Sequence, residues 1–349
     1  MVLQLLFLQD NDGWYYNMAS IINADTSGGL KLTSDTSGEI EFQSAGTKIA
    51  SLTAGALEIP TGTTAQRPGS PTTGMTRYNT DTGQMEIYNA TYNTWNVAGI
   101  PGSSYDIEYL VIAGGGGSPN VAAAGAGGYR ASSLSAQPGS THTIIVGAGG
   151  AIQTVGDDSV FSTITSLGGG RGGIPNTVNY IGGTGGSGGG TSYSSGGTAV
   201  TSGGGAGTVG QGNNGGGHAA WAGGAAGGGG GGAGAAGTTS TAGGIGGNGG
   251  NGLASSITGS SVTRAGGGAG SGESGNGTAG TGGGGAVNSN GTANTGGGAG
   301  AGSRTGGSGV VILSLLTANY SGTTTGSPTV TTSGANTILQ YTSSGSYTA

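Results

Sequence analysis

Glycine is the feature that most constrains what this chain can fold into. It accounts for 90 of the 349 residues, and 57 of them lie among the 130 positions from 181 to 310. Because glycine has no side chain to bury, this region cannot form an ordinary hydrophobic core. It is therefore either disordered or folded by a rule in which backbone packs directly against backbone.

The composition argues against disorder and excludes several functions. Charged residues make up 6% of the chain, the net charge is -6 and 32% of residues are hydrophobic. Disordered solvating tails carry more charge and fewer apolar residues. Eight Lys and Arg residues spread over the whole length leave no basic footprint for nucleic acid. The absence of cysteine excludes disulfides, thiol catalysis and cysteine–zinc sites.

The apolar run at residues 1–8 is too short to span a bilayer and lacks the features of a signal peptide. We expect residues 1–17 to lie upstream of a natural start at Met18, and residues 1–19 to form an N-terminal extension. The alternative is an apolar anchor that docks on a partner protein.

Four short apolar stretches follow, with starts 8 or 9 residues apart: Leu30–Leu32, Glu39–Phe42, Lys48–Leu52 and Ala56–Ile59. Alternation of apolar and polar residues inside them predicts half-buried strands. Strands this short cannot stand alone, which favours a solenoid or a fibre. We predict a β-fibre shaft over residues 20–60, with strands that pair between three chains.

A hairpin is predicted next, from strands at residues 74–79 and 84–88 around the turn Thr80–Gly83, followed by a third strand at Thr94–Val97. Together they define a small β module over residues 61–104. The combination of Thr64–Pro68, Arg77–Thr80 and Trp95 resembles a small module of bacteriophage tail-fibre proteins.

Two long apolar runs stand at the edges of the glycine region. Tyr105–Ala113 enters it and Gly309–Leu313 leaves it, and both favour strands by their β-branched content. We predict that they pair and bracket the region. Thr141–Val146 and Ser159–Ile164 add a compact β base.

The glycine spacing predicts the conformation of the region itself. In Gly243–Asn251 and Gly182–Ser187 every third residue is not glycine, which is the period of a polyproline-II-type helix. The predicted fold is therefore all-β with polyglycine-II helices. Gly227–Gly232 would be central and touch neighbours on all sides. Collagen is excluded because the period breaks and proline is scarce. A calcium-binding β-roll is excluded because the sequence lacks the aspartate that each of its repeats needs. A flexible linker is the remaining alternative.

An ordered series of motifs strengthens this interpretation. The series comprises Tyr109–Gly117, Gly127–Arg130, Ile145–Gly150, Asn294–Gly300 and Gly306–Ile312. It looks like the glycine-rich domain of phage tail fibres and distal adhesins, over residues 105–316. The resemblance implies a helical sandwich of polyglycine-II helices, bracketed by β-strands, whose loops contact the host receptor. Residues 317–349 are set apart as a Ser/Thr-rich C-terminal segment.

Catalytic chemistry has little support in the sequence. His142 and His218 are remote from each other, and no nucleophile elbow accompanies a possible Ser-His-Asp triad. Asp157-Asp158 is typical of an acidic turn, and the glycine fingerprints lack the strand–turn–helix unit of a dinucleotide site. We predict no enzyme, no cofactor and no metal site.

The residues that interrupt the glycine runs are the candidates for binding, because aromatic and Arg side chains dominate binding hot spots. We predict receptor contacts from Tyr193, Asn213, Asn214, His218, Trp221, Arg264, Asn288 and Asn290. An apolar plug that caps the glycine region is the alternative role for Trp221.

These expectations combine into one function: an extracellular virion tail-fibre protein that recognises a host surface protein or glycan. The expected partners are two further copies in a homotrimer and other tail or baseplate proteins at the N-terminal part, without nucleic acid and without membrane insertion. A purely structural fibre or decoration protein, and an ice-binding polyglycine protein, remain the alternatives.

Overall fold

The computed structural model describes residues 40–44, 47–52, 56–90, 93–97, 104–178, 180–193, 203–219 and 225–349. The chain divides into two compact units, residues 1–100 and 101–349. The predicted N-terminal extension and the predicted strand at Leu30–Leu32 lie outside the described residues.

The described part of the first unit opens with a three-stranded antiparallel sheet. It contains β1 (Ile40–Ser44), β2 (Thr47–Leu52) and β3 (Leu57–Glu58), in the order β1-β2-β3. Three of the four predicted short strands are thus confirmed, and they pair within one chain. Pairing between chains stays a prediction.

The small module is a four-stranded sheet in the order β4-β5-β6-β7. Its elements are β4 (Thr61–Gly62), a 3-10 helix (Thr64–Gln66), β5 (Thr76–Asn79), β6 (Gln84–Asn89) and β7 (Thr94–Val97). Gly83 closes the β5–β6 turn at a φ of 69°, and its amide donates to the Asn79 carbonyl at 2.9 Å. The predicted hairpin and third strand are confirmed, with glycine at the position that needs a positive φ.

In the part of the second unit that the structure describes, there are two five-stranded sheets and one isolated hairpin. The first sheet has the order β17-β18-β15-β8-β9 and the second the order β12-β11-β10-β19-β16. The strands are β8 (Tyr105–Ile112), β9 (Tyr129–Ala136), β10 (Thr141–Ile145), β11 (Ser159–Phe161), β12 (Ile164–Ser166), β15 (Val310–Leu316), β16 (Thr324–Thr325), β17 (Thr329–Ser333), β18 (Asn336–Tyr341) and β19 (Gly345–Thr348), with a 3-10 helix at Thr317–Asn319. The hairpin pairs β13 (Leu253–Ser255) with β14 (Val262–Arg264).

The two sheets share a hydrophobic core. Tyr109 and Leu313 from the first sheet and Phe161 and Tyr347 from the second belong to one buried cluster. β8 pairs with β15 antiparallel, with Ile112 opposite Val310, so the predicted bracketing of the glycine region is confirmed. The strands of residues 317–349 complete both sheets, and the boundary predicted at 316 falls inside this packed region.

The predicted polyglycine-II helices and helical sandwich are wrong. Among the described residues the regular structure is β, in five sheets, and 2% of the chain is helical, with no helix of seven or more residues in those ranges. Period-three spacing does not fix the conformation, because glycine restrains its own dihedral angles so weakly. Gly282, Gly283 and Gly302 adopt φ angles of 93°, 98° and 111°, far from the value of about −75° that such a helix needs.

The glycine segments instead form a network of backbone hydrogen bonds and close backbone contacts, which we call the glycine core. It comprises residues 113–128, 147–158, 168–178, 180–193, 203–219, 225–252 and 265–309. A Cβ built on Gly229, Gly230 or Gly231 would overlap a carbonyl oxygen from a different segment in each case. The prediction that Gly227–Gly232 touches neighbours on all sides is confirmed, because each of these glycines abuts another backbone.

Candidate functional site

The glycine core has two ends, and the strands mark one of them. β8 continues into the core at Ala113, and the core continues into β15 after Gly309. The amide of Ala113 donates to Gly128, whose own amide donates to Leu167, at 3.1 and 2.8 Å. We call this the near end, because it lies at the sheets.

Hydrogen-bond register gives the direction of each segment. Gly170 and Gly173 donate to Ser187 and Gly190, a constant offset that shows two parallel segments running away from the near end. In contrast, Gly228 donates to Thr191 and Gly231 to Gly188. Residues 226–233 therefore run back toward the near end.

The same register, applied along the core, gathers one set of loops at the opposite end, the far end. The described far-end loops are residues 119–122, 151–154, 174–178, 180–181, 241–245, 272–275, 287–290 and 302–304. Tyr193 and Gly203 also lie at this end, as do Ala219 and Ala225. The Thr191 hydroxyl donates to the Gly203 carbonyl at 2.7 Å, which joins the segments that hold Tyr193 and Gly203.

The predicted binding residues do not form one site. Tyr193, Asn288 and Asn290 lie at the far end, where Tyr193 is partly exposed and both asparagines are exposed. The Asn290 Oδ1 accepts a hydrogen bond from the Thr305 amide at 3.1 Å. Trp221 lies outside the described residues.

His218 is near the far end but below its surface. Its side chain is 4% exposed, and Nδ1 lies 2.8 Å from the Ala226 carbonyl oxygen. Because a carbonyl can only accept, Nδ1 carries the proton in this contact. The structure therefore gives His218 the role of fastening residue 218 to the next segment.

The other three predicted residues lie at the near end. The side-chain amide of Asn213 donates to the carbonyls of Gly232 and Ala233, both at 2.9 Å, and the Asn214 Oδ1 accepts from the Gly207 backbone amide at 2.9 Å. Both line a shallow cavity of about 370 Å³. Their hydrogen bonds brace neighbouring segments of the core.

Arg264 is buried on the hairpin beside Tyr129, with a side chain 7% exposed. Burial lowers the pKa of its guanidinium, and the nearby Tyr129 opposes this effect. One of its nitrogens, Nη1, is buried without a hydrogen-bond partner. A receptor could not reach this side chain without displacing its cover.

The exposed apolar side chains of the far end include two that were not among the predicted receptor contacts. Val178 is 92% exposed and Ile245 is 43% exposed. Both are β-branched residues in loops between glycine runs, which is the signal that could have identified them. They give the far end an apolar component beside its asparagines.

A family model described as a glycine-rich domain matches residues 88–316. The chain belongs to this glycine-rich domain family. No curated protein and no solved structure matches the chain. The glycine-rich domain thus begins in β6 of the small module and ends with β15, and it contains the whole glycine core with both of its ends.

The far end of the glycine-rich domain carries little charge. In its described loops the charged residues are Glu273 and Arg304, and Arg171 precedes the loop at 174–178. Glu273 accepts a hydrogen bond from the Ala225 amide at 3.1 Å. Burial lowers the pKa of the Arg171 guanidinium, which donates to the Gly172 carbonyl at 3.0 Å. Recognition at this end would rest on shape, apolar contact and neutral hydrogen bonds.

Within the described ranges no three His, Asp or Glu side chains gather as a metal site would require. Across those ranges the structure also contains no helix with the length and apolar character needed to cross a bilayer.

Proposed function

We propose that the chain is a bacteriophage tail-fibre protein that attaches the virion to its host through the far end of the glycine-rich domain. The observation that carries the proposal is the gathering of loops at the end opposite the sheets. Binding residues are concentrated on loops held by a rigid scaffold. The backbone-to-backbone packing of the core supplies such a scaffold, since its segments cannot shift independently.

The side chains of this end fit reversible recognition. Asn288 and Asn290 offer amide groups that both donate and accept hydrogen bonds, and Tyr193 offers an amphipathic ring that suits a binding hot spot. Val178 and Ile245 add exposed apolar surface. This combination favours a host surface protein or glycan as the ligand, bound without covalent chemistry and without a cofactor.

The proposed assembly places this protein in the tail of an extracellular virion. Homotrimer formation and attachment to other tail or baseplate proteins through the N-terminal part belong to the proposal. The resemblance of the small module to phage tail-fibre modules supports this placement, as does membership of the glycine-rich domain family.

Binding of the fluorescently labelled full chain to a panel of bacterial strains tests the proposal. We expect saturable binding to a subset of strains, reduced at least about tenfold by Tyr193→Ala or Trp221→Ala, which corresponds to hot-spot losses above about 1.4 kcal/mol. Val330→Ala is the matched control, because Val330 is 45% exposed in β17, beyond the near end. Absence of binding to every strain, or equal binding by all variants, would favour the purely structural fibre.

A further inference from the structure

Five asparagines of the glycine-rich domain are followed directly by glycine: Asn214, Asn248, Asn251, Asn276 and Asn290. An asparagine loses ammonia when the backbone nitrogen of the next residue attacks its side-chain amide carbon. Glycine at the next position favours this attack, because it has no Cβ to hinder the approach. By sequence alone the five asparagines are therefore equally susceptible to deamidation, and only the fold can make one of them react before the others.

Two structural features do not distinguish the five positions. All five asparagines are exposed, so water reaches each of them. The amide of each following glycine also donates a hydrogen bond to a backbone carbonyl. In chain order the acceptors are Gly205, Thr278, Thr281, Gly270 and Thr305, at 2.8 to 3.0 Å. Any difference in reactivity must therefore come from the asparagine residue itself.

Four of the asparagine side chains are fastened, because Oδ1 accepts a hydrogen bond from a backbone amide seven or more positions away. The pairs are Asn214 with Gly207, Asn248 with Thr278, Asn251 with Thr281 and Asn290 with Thr305, at 2.8 to 3.1 Å. In the last three pairs one threonine holds both reacting groups, since its carbonyl also accepts from the glycine amide. The side chain can turn toward its own glycine only after the hydrogen bond to Oδ1 breaks. The net worth of such a bond corresponds to about a two- to tenfold difference in rate.

Asn276 is not fastened in this way. Within the described part of the chain it neither donates nor accepts a hydrogen bond, through its side chain or its backbone. Its two neighbours are held, because the Gly275 carbonyl accepts from the Gly246 amide and the Gly277 amide donates to the Gly270 carbonyl, both at 2.9 Å. The Asn276 side chain can therefore turn toward Gly277 without losing a contact of its own.

We propose that Asn276 is a site of spontaneous deamidation. The Gly277 nitrogen forms a bond to Cγ of Asn276, the bond from Cγ to Nδ2 breaks, and the proton of the Gly277 nitrogen leaves with the departing group as ammonia. Water then opens the resulting succinimide at one of its two carbonyl carbons, which yields aspartate or isoaspartate. The product adds one negative charge beside the far-end loop 272–275, which already carries Glu273. The proposal does not depend on receptor binding by this end.

Peptide mapping by mass spectrometry tests the proposal on the full chain. One sample is aged folded at pH 8 and a second is aged at the same pH in guanidinium chloride. In the folded chain we expect Asn276 to deamidate about two- to tenfold faster than each of the other four asparagines. In the unfolded chain the five rates should converge, because the fastening hydrogen bonds are gone. A folded chain in which Asn276 reacts no faster than the others, or a lead of Asn276 that persists unchanged in guanidinium chloride, would overturn the proposal.

Isoelectric focusing of aged folded variants gives a second test. The first acidic species to form should be absent from Asn276→Gln, because the longer side chain would have to close a less favourable six-membered ring. Asn290→Gln is the matched control, since it removes an exposed asparagine whose side chain is fastened, and it should form the acidic species at the wild-type rate. Formation of that species by Asn276→Gln at the wild-type rate would overturn the proposal.

Discussion

Gly230 lies against Ala124 so closely that a Cβ at position 230 would overlap the Ala124 carbonyl oxygen. The Gly230 amide is meanwhile fixed to the Gly268 carbonyl at 3.0 Å. Both contacts are with backbone, so no change of side-chain rotamer can relieve the overlap. Gly230→Ala should therefore lower the free energy of unfolding by at least about 3 kcal/mol, which is more than overpacking usually costs. For a domain of this size we expect a fall in Tm of about 6 °C or more, measured by calorimetry.

The matched control is Gly243→Ala. A Cβ there would meet its nearest atom, the Thr241 hydroxyl oxygen, at 3.7 Å, which is ordinary contact. The substitution should leave Tm unchanged or raise it slightly, since alanine reduces the entropy of the unfolded chain. Equal Tm values for the two variants would contradict direct packing of backbone on backbone at Gly230.

Strand positions were predictable where side chains determine them. β7 coincides with the predicted Thr94–Val97, and the pairing of Ile112 with Val310 follows from two apolar runs that bracket the glycine region. β9 was missed because its Ser-rich sequence, Tyr129–Ala136, lacks the β-branched residues that signal a strand.

The site was harder to predict because glycine carries no information about its neighbours. Arg264 and His218 were predicted to be exposed because they interrupt glycine runs, yet the structure buries both side chains. The prediction of polyglycine-II helices in the core was wrong for the same reason. Spacing shows where side chains are missing, while the φ of a residue such as Gly302 follows from the turn that it must make.

Glu86 should make the first unit sensitive to acid. The hydrogen bond from Arg67 is the main cause that holds the pKa of Glu86 below its ordinary value of 4.5. A depressed folded pKa means that the stabilisation is present at neutral pH and is lost as the pH falls below about 4.5 through the folded value. Glu86→Gln should therefore cost about 1.5–3 kcal/mol at pH 7, and the difference from wild type should shrink toward pH 3.

Trp95 provides the measurement, because it packs against Tyr88 with ring centroids 5.5 Å apart. Urea denaturation followed by its fluorescence, with Trp14 and Trp221 replaced by Phe and the chain concentration fixed, reports on this unit. A gap between wild type and Glu86→Gln that is as wide at pH 3 as at pH 7 would argue against the pairing with Arg67.

Tyr341 should give the second unit a matching sensitivity to alkali. Burial raises the pKa of its phenol above the ordinary value of 10, and the hydroxyl donates to the Ser346 carbonyl at 3.0 Å. A raised folded pKa means that the stabilisation is complete below about pH 10 and is lost as the pH rises toward the folded value. Tyr341→Phe should cost about 0.5–1.5 kcal/mol at pH 7. Its stability should then fall less steeply than wild type between pH 10 and 11, by up to about 1.4 kcal/mol per pH unit. Urea midpoints across this range measure the slope, and parallel slopes would refute the assignment.

Substitution of Asn213 should affect stability, whereas substitution of Asn290 should affect cell binding. The side-chain amide of Asn213 donates to the carbonyls of Gly232 and Ala233. Its removal leaves both carbonyls without that hydrogen-bond partner. Asn213→Ala should therefore lower the free energy of unfolding by about 1–3 kcal/mol without changing the affinity of the folded fraction for cells.

Asn290 is exposed at the far end, so Asn290→Ala should change Tm by less than about 2 °C, within the usual effect of a surface substitution, and should weaken cell binding. Calorimetry and the strain-binding assay on both variants measure the two effects independently. Weakened binding by folded Asn213→Ala with full binding by Asn290→Ala would move the receptor surface from the far end to the near end.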